Sequence, residues 1–196
     1  MKLSTLLLSG TVSALMMAFS VPATAAMVQK CVPGKVTAAS YTHDFKGEAN
    51  TIFQAIQADA VQAQDKADQL ASAAQNDNIS WYSDGVYLTA IKAKINDMGQ
   101  RLCRLETIRR VVAPWQQAEI DRIAGALRLM ADNTTDAMVF GGAHQTDLWL
   151  PTYQKYTKNL YREASDLAHS ANQAVAYASA SKEYRGLRQD LGVKGS

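Results

Sequence analysis

Apolar residues recur along most of this chain at helical spacing. From about Asp44 to Gln75 they fall at Phe45, Ala49, Ile52, Ile56, Ala60, Ala63, Ala67, Leu70 and Ala74. Steps of three and four place them on one face of an α-helix. Gln57, Gln64, Asp65, Asp68 and Gln75 take the opposite face, and Asn76-Asp77-Asn78 breaks the pattern. A second stripe starts near Ser80: Trp81, Leu88, Ile91, Ile95, Met98, Leu102 and Leu105. Its near-heptad steps are those of an antiparallel bundle seam. It should end by Val112, because a proline disfavours helix at the residue before it. Pro114 itself suits the first turn of a third helix. The link is so short that one kinked helix through this region stays open.

The third helix is predicted to reach about Met138, with Ala118, Ile123, Ala126, Leu127, Met130 and Ala137 inward and Gly141-Gly142 as its stop. The fourth starts between Asp147 and Pro151 and runs to about Ser179. Its stripe is Tyr153, Tyr156, Leu160, Ala164, Leu167, Ala171, Val175 and Ala178. Lys182 to Ser196 is polar and glycine-bearing, which predicts a short helical piece that then frays into a flexible tail. Four long helices with short links imply an all-α, antiparallel up-down-up-down four-helix bundle over residues 43–181. Trp81, Trp115 and Trp149 are spaced as in a tetratricopeptide array. That repeat needs two short helices per unit, and no turn signal divides Tyr87 to Leu105. The spacing therefore reads as one helix plus one loop, recurring, with each Trp capping an end of the core.

The first residues follow a different rule. Lys2 is a short positive region, Leu3 to Phe19 an apolar one, and Val21-Pro22-Ala23-Thr24-Ala25 a small-residue cleavage site. This is the order of a secretory signal peptide, residues 1–25. The apolar run is too short and too broken by Ser9, Gly10, Thr11 and Ser13 for a spanning helix. The expected location is periplasmic or secreted, with no stable membrane span after cleavage. Residues 26–42 carry Pro33-Gly34 and no helical period, so they read as an extended arm. Net charge is +2, and losing Lys2 with the leader lowers it by one. A chain so near neutrality lacks the basic face that nucleic acid requires.

Export changes the reading of the cysteines. Cys31 and Cys103 are an even pair in an oxidising compartment, so a disulfide is expected, stapling the arm to helix two. That removes Cys103 as a nucleophile. No G-x-S-x-G, phosphate loop or dinucleotide fingerprint occurs. Asp166-x-x-His169 with Glu163 one turn earlier places three metal-ligand types on one helix face. Di-iron bundles need a second such unit, which the other helices do not offer. Met98, Met130 and His169 are haem ligands in type, yet methionines at helical spacing are core filler. Arg101, Arg104, Arg109 and Arg110 form a basic run that complements a helix C-terminus. The loop with His144, Asp147 and Trp149 either recognises a partner or closes the core.

The resulting expectation is an exported, non-enzymatic helical-bundle binding or interaction protein with no cofactor. Its partner, protein or small molecule, is not specified by the residues. The alternative is a small-molecule, metal or haem-binding bundle with a redox or sensory role.

Overall fold

A computed structural model of the chain describes residues 43–76 and 80–192. The expected signal peptide, residues 1–25, and the expected arm, residues 26–42, lie outside the described residues. Four helices account for most of the rest: α1 (Phe45–Ala73), α2 (Trp81–Ile108), α3 (Pro114–Ala143) and α4 (Pro151–Asp190). Among the described residues there is no strand. Each start has a local cause. Asp44 caps α1 by accepting from the Gly47 amide at 2.9 Å. Ser80 does the same for α2 through Ser83. Pro114 opens α3, and the Gln116 side chain reaches back to accept from the Ala113 amide at 2.8 Å.

The kinked alternative for α2 and α3 is resolved. After a single 3-10 turn, Arg109–Val111, the backbone is extended at both Val112 and Ala113. Two separate helices result, as the pre-proline restriction requires.

Side-chain bonds set the direction of each helix. Gln57 bonds Asn172 at 2.7 Å and Gln64 bonds Ser165 at 3.4 Å, so α1 and α4 run antiparallel. Glu48 with Arg104 and Asp59 with Lys94 do the same for α1 and α2. Asn133 donates to Glu163 at 2.6 Å between α3 and α4. Each helix packs on its two neighbours around a ring that α4 closes onto α1. The end where α1 begins is called lower; the α1–α2 connection is upper.

The core follows the predicted stripes with small rotations. Leu88, Ile91, Ile95, Met98, Leu102 and Leu105 of α2 are buried as expected. On α1 the fully buried aromatic is Phe53, while Ile52 is half-buried. Ala118 faces solvent on α3, and Ile120 is buried instead. The α1–α4 contact is rich in alanine: Ala60, Ala63, Ala67 and Ala71 against Ala164, Ala168, Ala171 and Ala174. Each buried Leu, Ile or Phe contributes about 1.5–3 kcal/mol, so the large side chains of α2 and α3 carry most of the apolar stabilisation.

Two predicted ends are corrected. Gly141-Gly142 does not stop α3, which runs on to Ala143. The Trp81 ring lies against Gly141 where a Cβ would stand, so packing outweighs the glycine's weak helix propensity. Nor does α4 end near Ser179. It continues to Asp190 through the strong helix formers Lys182, Glu183, Arg185, Leu187 and Arg188. Its stop is Gly192, whose φ of 64° is left-handed. The short helical piece expected after Ser179 is thus a continuation of α4 as far as Asp190. From the Gln57–Asn172 register, the last turns of α4 overhang the lower end. No helix among the described residues is long and apolar enough to cross a membrane.

Candidate functional site

The ends of the bundle, rather than its middle, hold the unexplained chemistry. At the upper end Asp84 sits in the first turns of α2, fully buried. It lies on the extrapolated α2 stripe, four residues before Leu88. Both of its carboxylate oxygens and the Tyr153 hydroxyl are buried without a hydrogen-bond partner. Among the described residues the phenol is the one hydrogen-bonding group near enough to act on the carboxyl, but their contact falls short of full hydrogen-bond geometry. Burial pushes the Asp84 carboxyl above the ordinary aspartate value, with Tyr153 tempering the rise. The phenol is raised in turn, chiefly by burial and then by the nearby carboxylate. Phe140 stacks near Tyr153 with ring centroids 6.1 Å apart.

The upper loop splits its roles. His144 stacks on Phe140 at 4.1 Å, and its Nδ1 donates to the Phe140 carbonyl at 2.9 Å. Leu148 is buried and closes the core. Asp147 accepts from the Thr146 hydroxyl at 3.4 Å. Trp149 stays 48% exposed, so it does not cap the core as Trp81 and Trp115 do.

The metal-ligand trio is not brought together. Glu163 turns into the α3–α4 seam toward Asn133, and burial raises its carboxyl. Asp166 is exposed, and His169 faces solvent and accepts from Gln173 at 3.0 Å. Among the described residues no three His, Cys, Asp or Glu side chains are grouped to hold a metal. Met98 and Met130 are fully buried core residues, while His169 is on the outside.

The arginine run serves mainly as cross-links. Arg101 and Lys94 grip buried Asp59, Arg104 binds Glu48, and Arg109 binds Asp121. Arg104 holds the Glu48 carboxyl below its usual range, and Arg109 does so for Asp121. Cys103 is half-buried on α2; Cys31 lies outside the described residues.

At the lower end the first turns of α1 and α3 meet the extension of α4 around a cleft of about 190 Å³. Gln116, 1% exposed, crosses its floor. Its amide donates to the Lys46 carbonyl at 3.0 Å and to Asn50 Oδ1 at 2.8 Å. Trp115 forms an apolar wall and meets Tyr177 at 4.7 Å. Ala113 and Ala178 add to the apolar lining, and Lys46, Asn50, Ser181 and Arg185 supply the polar part. The α4 stripe fades after Ala178, so periodicity alone ends the helix too early to place Ser181 and Arg185 here. The signal that could have found them is the run of helix formers after Ser179. Comparison with family models, with curated proteins and with solved structures finds no match for this chain.

Proposed function

We propose that the chain is an exported, non-enzymatic binding module of the cell envelope or exterior. In this reading residues 1–25 are removed on export. A Cys31–Cys103 disulfide then ties the arm to α2 near the lower end. The observation that supports the reading is the upper end. Tyr82 is 82% exposed, and Val86, Val139 and Trp149 are about half exposed there. Tyr82, Val86 and Val139 stand on long helices and Trp149 just before one, so little order has to be gained on binding. Exposed aromatic residues on a rigid scaffold are the usual anchors of protein partners.

A photo-crosslinking residue placed at Trp149, in the chain expressed by its producing cells, tests this. A discrete protein adduct from position 149, absent when the probe sits at Leu129 of α3, is the expected result. Equal or no labelling from the two positions overturns it. A small-molecule reading is favoured separately by the lower cleft.

A further inference from the structure

The lower cleft has a consistent chemistry. Its polar lining supplies donors: the Lys46 ammonium, the Asn50 amide, the Ser181 hydroxyl and the Arg185 guanidinium. No acid lines it. Neither Lys46 nor Arg185 forms an ion pair among the described residues, so both charges are available to a ligand. Asn50 already accepts from Gln116 through Oδ1, which turns its amide nitrogen to the role of donor. Arg185 spends its Nε on the Ser181 carbonyl at 3.1 Å, leaving the terminal nitrogens of the fork. Gln116 satisfies only the Ala113 amide at the start of α3, so the positive dipole end of that helix adds to the same field. Trp115 supplies an aromatic wall. Two cations, further donors and an aromatic face around a half-open space are complementary to a negative head on an apolar body. The volume is worth roughly six waters, at about 30 Å³ each, enough for a single small ring.

We infer that this cleft binds a small organic carboxylate, its carboxylate between Lys46 and Arg185 and its apolar body against Trp115. The inference does not depend on the upper-end reading, and each can fail alone. Isothermal titration of the purified intact chain with benzoate tests it, with benzamide as the neutral ligand of the same shape. Benzoate should bind saturably at one site, with Kd on the order of millimolar for so small a ligand. Benzamide should bind about ten-fold more weakly, as should benzoate to K46Q or R185Q, since each removes a charged hydrogen-bonding partner. Both side chains are exposed, so the far-ultraviolet dichroism of these variants should match the parent. R128Q, which removes one charge from the middle of exposed α3, should leave binding unchanged. Three results overturn the inference: no saturable benzoate binding, equal affinity for benzoate and benzamide, or a K46Q/R185Q double variant that binds as the parent does.

Discussion

Replacing Asp84 by leucine should make this protein more stable, and more so at neutral pH than in mild acid. Asp84 is fully buried, and neither carboxylate oxygen has a hydrogen-bond partner. Leucine has the same number of side-chain heavy atoms, so the site needs little repacking. Removing unsatisfied buried oxygens recovers about 1–3 kcal/mol, offset in part because the buried Tyr153 hydroxyl loses the carboxyl beside it. For a domain of this size that raises Tm by about 2–4 °C for each kcal/mol. Aspartate near a helix N-terminus ordinarily gains from the dipole, but only when ionised and by about 0.3–1 kcal/mol. The pH dependence follows from the raised folded-state pKa. Its stability contribution is fully present below the ordinary value of 3.8 and is lost as pH rises through the higher folded value. The parent should therefore weaken relative to D84L from about pH 4 upward. Glu119 and Glu163 are also raised by burial, and Glu48 and Asp121 are lowered by arginines. Those groups are present in both proteins and cancel in the difference. Thermal unfolding followed at 222 nm, at pH 4.5 and pH 7, measures it. A lower Tm for D84L at pH 7, or a gap that does not change with pH, refutes the reasoning.

Three further outcomes are expected. Gly141→Ala drives a Cβ into the Trp81 ring and should cost about 1–3 kcal/mol by overpacking. Gly142→Ala, whose Cβ would meet Trp81 only at 4.0 Å, should be neutral or stabilising by up to about 1 kcal/mol; urea unfolding of both distinguishes them. Asp59→Ala removes the buried carboxylate that Lys94 and Arg101 share, and should cost about 1–3 kcal/mol because the freed cations can still reach water. If Cys31 and Cys103 are joined, reduction should cost on the order of 4 kcal/mol by the chain-entropy estimate, read as a drop in the urea midpoint that C103S reproduces.

Most of the architecture was legible because helix periodicity reports burial directly. The α2 stripe from Leu88 to Leu105 is the buried face almost residue for residue. Errors came where one local rule met a competing contact. Glycine propensity stops a helix in isolation, yet Trp81 against Gly141 keeps α3 going. The end of α4 was misplaced because an overhanging helix needs no apolar stripe, only helix formers and a terminating Gly192. Nothing in the periodicity marks Asp84 and Glu163 as buried, although both stand on or beside the stripes of their helices. Acidic residues are so rarely buried unpaired that residue type outweighed position. The lower cleft was not legible at all. It is assembled from α1, α3 and α4 residues far apart in sequence, and depends on an extension that periodicity hides.

We propose that this bundle works by binding through its upper end. Light scattering coupled to gel filtration, on the protein recovered from its producing cells without denaturation, tests that most directly. The parent should elute in a complex heavier than its own chain, and W149S with Y82S should elute as the isolated chain with unchanged dichroism. Elution of both proteins at the mass of the isolated chain would contradict it.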